Sequence, residues 1–227
     1  MGKRWKRNRL QHGKELMRNR WLMAAVAVLA AAPGTVNAQA PRHTAPRDTG
    51  LILGSIEAAI SQPMRRIESM ALVVDLSDRR LYVTSGDQVV KEYMVSVGEE
   101  AYGTPSGQFR IQRMIWNPSW TPPPSAWARD KKPEPPGSPG NPMGRVKMFF
   151  REPDYYIHGT GLTSSLGNAR SHGCIRMRNI DAVELARMLM MNGGADRGQD
   201  WYQETITNAT TSREVTLSRP VTVRVRA

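Results

Sequence analysis

The chain carries one cysteine and four histidines. His12 and His43 fall in the N-terminal stretch, so a folded core holds only His158 and His172, both within sixteen residues of Cys174. A thiol is a usable nucleophile only as the thiolate, and a nearby imidazole takes its proton or stabilises the anion. Gly159 and Gly173, next to the two histidines, allow close backbone approach and expose amide groups, as an oxyanion site requires. Two other readings use the same residues. A metal site of two His and one Cys lacks a fourth ligand at close spacing, and His172 and Cys174, two apart in a Gly-bearing loop, would strain a chelate. A structural cysteine would be a small buried hydrophobe beside two satisfied histidines. A nucleophile should ionise below the ordinary thiol value of about 8.5, and a thiol without chemistry should stay near it.

The chain that must position these groups has 227 residues, 40% of them hydrophobic, which suits one globular domain with or without a tail. Its net charge of +12 is uneven, because residues 1–20 hold eight Lys/Arg against Glu15 alone. The remaining +5 is too thin for a nucleic-acid binder. After the basic stretch come twelve apolar residues, Trp21 to Ala32, fewer than the roughly 20 that span a bilayer. Pro33-Gly34 and the small residues at Val36-Asn37-Ala38 complete the order of a secretory signal. The expectation is a signal over 1–38 cleaved after Ala38, with an uncleaved anchor as the alternative. Either way the domain is exported, to the periplasm. One cysteine excludes a disulfide framework.

Residues 39–68 read as a lead-in with a short helix at 54–62, stopped by Pro63. Strands are expected over Met70–Leu76, Leu81–Thr84, Val89–Val97, Phe109–Ile115, Arg145–Phe150 and Tyr155–His158. Val215–Val225, which contains Pro220, reads as a closing edge strand. Asn179–Asn192 is the one clear helix, with Asn179 at the N-cap and Gly193-Gly194 ending it. Residues 117–145 hold nine of the sixteen Pro together with Trp120 and Trp127, which favours a lid over a linker.

The segment His158-Gly159, followed by Ser171-His172-Gly173-Cys174-Ile175-Arg176, resembles the signature of the L,D-transpeptidase (YkuD-type) catalytic domain. The likeness extends to Val73–Leu76 with Arg80–Val83, to Gly103–Phe109, to Asn117–Pro123 and to Asn141–Gly144. It implies a mainly β domain over 69–227, a mixed-strand sandwich with one flanking helix and a Pro-rich lid. It implies Cys174 as nucleophile, His158 as base oriented by the Gly159 carbonyl, and His172 shaping the pocket and polarising the thiol. Amides around Gly173-Cys174 would hold the oxyanion, and Arg176 and Ser171 would face the substrate, Arg176 taking a carboxylate. The implied reaction releases terminal D-alanine from peptidoglycan stem peptides through a thioester and forms 3→3 cross-links, with no metal or cofactor. Water, or a lysine of an outer-membrane lipoprotein, would be alternative acceptors, and an inactive wall-binding module is the remaining alternative.

Overall fold

The computed structural model describes residues 49–227, with side chains from Gly54 onward. The expected signal over 1–38, its cleavage site, His12 and His43 lie outside these residues.

The chain opens with helix α1 (Thr49–Ser61) and passes into strands β1 (Met70–Asp75), β2 (Arg80–Ser85), β3 (Gln88–Met94) and the two-residue β4 (Val97–Gly98). β5 (Gly107–Trp116) leads through the Pro-rich segment to β6 (Val146–Arg151), β7 (Tyr155–Thr160), β8 (Ala169–Ser171) and β9 (Ile175–Arg178). Helices α2 (Asn179–Asn192) and α3 (Gln199–Thr207) precede the last strand, β10 (Arg213–Arg226). Eight strands form one sheet in the order β3-β2-β1-β10-β5-β6-β7-β9, and β4 and β8 form a second. The sheets are mixed, since β1–β10, β7–β9 and β4–β8 run parallel and the other pairs antiparallel. The architecture is therefore mainly β, and the flanking helix α2 is joined by α1 and α3.

Alternation fixes which side of each strand is buried. Met114, Trp116, Val146, Met148, Ile157, Ile175 and Met177 are buried in the core, where α2 packs across β6, β7 and β9. The same helix turns Val183, Ala186, Leu189 and Met190 inward. Each large apolar side chain removed from water in this way contributes about 1.5–3 kcal/mol.

Two expectations are corrected. β10 is not an edge strand, because it lies between β1 and β5. Pro220 is tolerated there because its register with β5 breaks between Thr216 and Val221, where no ladder bond needs its missing N–H. Asn179 is not the N-cap of α2; Arg178 occupies that position, and its guanidinium grips Asp181 at 2.7 and 2.8 Å. The Asn179 side chain instead accepts the Arg145 N–H at 3.0 Å, tying α2 to the start of β6.

Candidate active site

The parallel register of β7 and β9 sets Ile157 beside Ile175 and His158 beside Arg176. Ile157, Ile175 and Met177 point into the core, so period-2 alternation turns Tyr156, His158, Cys174 and Arg176 to the opposite face. One step back in the same register, Cys174 comes beside Tyr156, and both the backbone and the hydroxyl of Tyr156 hydrogen-bond the sulfur. On the far side of β7, Lys147 of β6 pairs with His158 and Phe149 with Tyr156. Sequence reading missed Tyr156 and Lys147, although their spacing from His158 and within the strand over 145–150 carried the signal.

His158 is 2% exposed, and its Nδ1 lies 2.8 Å from the Gly159 carbonyl oxygen. A carbonyl only accepts, so Nδ1 carries the proton and Nε2 keeps the lone pair of a base. Burial, opposed by the Gly159 carbonyl and aided by Arg176 and Lys147, pulls the imidazole down to about 4. Cys174 is half-buried, its Sγ donating to the Asp154 carbonyl at 3.4 Å. Burial pushes its thiol up to about 11, against the opposing pull of the Tyr156 hydrogen bonds and Arg176. A nucleophile ionising below its ordinary value was the expectation, and the direction here is the reverse. Burial penalises the anion more than the neighbouring groups favour it. At neutral pH the pair is thus thiol and neutral imidazole.

That charge state has a measurable consequence. The fall of kcat/KM on acidification should be centred near 4, where His158 gains its proton, and not near the ordinary value of about 6.5. Stability follows the same group. The folded state holds His158 below its unfolded value, so its contribution is complete above about 6.5 and is lost as pH falls toward about 4. Chemical denaturation across pH 7 to 4, in wild type and His158→Gln, reads this out as a slope that the variant lacks.

Ser171 is put to a different use from the one expected. It is fully buried, its hydroxyl donates to the Cys174 carbonyl, and it accepts the Gly173 N–H at 3.2 Å. Ser171 therefore braces the turn that presents Cys174, and leaving those two buried backbone groups unpaired would cost about 1–3 kcal/mol each. The same bond occupies the Gly173 amide, which was expected at the oxyanion. Gly173 is required for another reason: its φ is +103°, and a Cβ would lie 2.8 Å from the Tyr155 ring.

The ring of His172 turns to the Pro-rich segment. Trp127 stacks on it with centroids 3.9 Å apart and an interplanar angle of 11°, Tyr102 meets it edge-on at 4.8 Å, and Glu99 lies 3.7 Å from Nε2. These partners make His172 a pocket wall and the landing point of the Pro-rich segment. That segment is an ordered loop closed by the Trp120–Glu134 bridge. Its two ends are pinned to the carbonyl end of α3. Asn117 donates to the Thr205 and Asn208 carbonyls at 2.8 and 3.1 Å, and the Arg145 guanidinium reaches the Ile206 carbonyl.

Arg176 is half-buried, donates to the Arg170 carbonyl at 3.1 Å, and has no carboxylate within 4.0 Å among the described residues. Burial pulls its guanidinium below the ordinary value. A desolvated planar donor without a protein carboxylate is suited to one on a ligand. Among the described residues no group of three or more His, Cys, Asp or Glu is placed to hold a metal ion.

The family model for the YkuD L,D-transpeptidase catalytic domain matches residues 69–217. A putative L,D-transpeptidase YkuD of Bacillus licheniformis is 34% identical over 118 residues, covering 52% of this chain and 59% of that one. A putative L,D-transpeptidase of Fuscovulum blasticum, in its ATP synthase subunits region, is 38% identical over 122 residues, 52% of this chain and 63% of that one. The chain thus spans less than two thirds of the length of these relatives. A solved L,D-transpeptidase from Mycobacterium smegmatis aligns with 70% of this chain and 59% of its own at 16% identity and a TM-score of 0.44. With the family model running from β1 to the start of β10 and so taking in the Pro-rich segment and the Cys174 turn, the chain belongs to the YkuD family, the L,D-transpeptidase catalytic domain.

Proposed function

We propose that this protein is an exported L,D-transpeptidase of the periplasm that works through a cysteine thioester on peptidoglycan stem peptides. The observation that carries this reading is the β7–β9 register, which lays Tyr156 and His158 against Cys174 and Arg176 on one face. Arg176 takes the terminal carboxylate of a tetrapeptide stem and sets the carbonyl of the third residue over Sγ. As sulfur attacks, the thiol proton passes to Nε2 of His158. The Gly159 carbonyl supports the resulting imidazolium through Nδ1–H. Starting from two neutral partners, the transfer avoids holding a buried ion pair in the resting enzyme. His158 then returns the proton to the departing nitrogen, D-alanine leaves, and the stem remains as a thioester on Cys174. An amine on a neighbouring stem gives a proton to His158 and attacks the thioester; the C–S bond breaks, Sγ leaves and takes that proton back from His158, and the new amide is the 3→3 cross-link. Exchange of an amide through a thioester conserves the bond energy that an exported enzyme without a nucleotide cannot replace. The lid lying on His172 keeps water from the thioester between the two halves.

The test is incubation of the purified protein with a disaccharide-tetrapeptide, followed by mass spectrometry. Cross-linked dimer with release of one D-alanine per bond is the expected product. Tripeptide without dimer would make water the acceptor, and an unchanged substrate would overturn the proposal.

A further inference from the structure

The face that carries the thiol holds a second cation that the reaction described above does not use. Lys147 lies on β6, paired directly with His158, so His158 stands between Lys147 on one side and Arg176 on the other. With neighbouring strands about 4.8 Å apart, the two cationic positions are separated by about 10 Å of sheet. The Lys147 ammonium sits 5.2 Å from the centre of the Phe149 ring and 5.4 Å from that of Tyr156, a half-buried aromatic bed. The carboxylates nearest to this region are already engaged. Glu152 makes a two-bond pair with Arg113, both at 2.7 Å, and Glu214 lies 3.3 Å from the same guanidinium. Among the described residues Lys147 has no carboxylate within 4.0 Å. Burial, with Arg113 adding to it, presses the ammonium below its ordinary value, the direction of a cation short of a counter-ion.

We propose that Lys147 is a specificity-determining residue that binds a second carboxylate of the acyl donor, one borne on the side chain of the residue whose carbonyl Cys174 attacks. The inference rests on the reading of this site as a stem-peptide transpeptidase. It adds the class of donor. Arg176 holds the terminal carboxylate, Lys147 holds the side-chain carboxylate of a diamino acid that has one, and the scissile carbonyl lies between them over the thiol. A donor whose third residue lacks that carboxylate, or carries it as an amide, leaves Lys147 desolvated and unpaired, and a site that rejects through an unpaired buried charge discriminates strongly.

The experiment compares two tetrapeptide donors that differ only in whether the side-chain carboxyl of the third residue is free or amidated. Acylation of Cys174 is followed by mass spectrometry in single turnover, so the acceptor does not enter. The full-length protein should prefer the free acid by about tenfold or more, as a charge-assisted pair implies. In Lys147→Met the ratio between the donors should collapse toward one, and Lys147→Arg should restore part of it. Using the ratio cancels any general loss from altered packing. A ratio unchanged by Lys147→Met, or no preference in the parent, overturns the assignment. Affinities of both peptides for the Cys174→Ala protein supply the same ratio without turnover, so a failure of the transpeptidase reading and a failure of the Lys147 assignment give different results.

Discussion

Cys174→Ala should lower stem-peptide turnover by at least about 10⁴-fold, the scale seen when a covalent nucleophile is removed. It should leave the melting temperature within a few degrees of the parent. Stability is spared because Sγ makes only weak polar contacts, with the Asp154 carbonyl at 3.4 Å and with Tyr156, and packs no part of the buried core beneath the sheet. His158→Gln should cost about 10³-fold or more in turnover by removing the base. Its effect on the thiol itself is the sharper measurement. In an enzyme that rests as thiolate and imidazolium, losing the imidazole raises the thiol markedly. Here His158 is neutral and burial sets the thiol at about 11. Alkylation of Cys174 by iodoacetamide should therefore climb with pH toward a midpoint near 11, and His158→Gln should leave that midpoint in place. A parent midpoint below about 8.5 that moves up in the variant would establish the ion pair and sink the neutral mechanism.

Much of the site was legible because its parts are close in sequence. His158, His172 and Cys174 cluster within one stretch, and the strand that carries His158 shows its apolar partner Ile157 one position away. What adjacency does not reveal is which way neighbouring side chains turn. His172 and Cys174 share a loop, yet the left-handed Gly173 between them sends the imidazole to Trp127 and the sulfur to Tyr156. Ser171 looks equally exposed in the sequence, but its short hydroxyl is the group that closes the turn.

The fold shows the same division. Alternation located the longer strands to within a few residues, including the last one, because burial on one face needs only a period of 2, whereas the short β8 and β9 on either side of Cys174 offer too few residues for a period to show. Placing that strand in the middle of the sheet requires the parallel pairing of Ala71–Asp75 with Thr222–Arg226, a relation between distant segments that no local pattern encodes. Helix α3 was missed because it buries only Tyr202, Thr205 and Ile206 in nine residues, too narrow a stripe to stand out. Its importance lies at its end, where backbone carbonyls receive Asn117 and Arg145. The Pro-rich segment thus depends on an element whose contribution is made by main-chain atoms, and main-chain atoms leave no signature in a sequence.

Gly144→Ala should lose about 2–5 kcal/mol of stability and, separately, about 10²-fold in kcat per folded molecule. Gly144 stands just before β6 with a φ of +64°, which disfavours any residue with a Cβ. The added methyl would also lie 2.1 Å from Asn179 Oδ1, 2.7 Å from the Gly159 carbonyl carbon and 2.8 Å from its oxygen. Those atoms already have tasks. Asn179 Oδ1 accepts the Arg145 N–H, and the Gly159 oxygen fixes the proton of His158 on Nδ1. Relief of the clash must therefore either release α2 from β6 or shift the carbonyl that orients the base, and a misplacement of about 1 Å in a catalytic group is enough for such a loss in rate. Gly86→Ala separates strain from position, because Gly86 has a φ of +57°, its added methyl would meet nothing within 4 Å, and it sits in the distant β2–β3 turn. It should cost about 1–2 kcal/mol from backbone strain and leave kcat per folded molecule as it is. Thermal unfolding and active-site-normalised turnover of the two variants decide the matter: if Gly144→Ala shows only the loss seen for Gly86→Ala and turns over normally, the Gly159 carbonyl does not position the base.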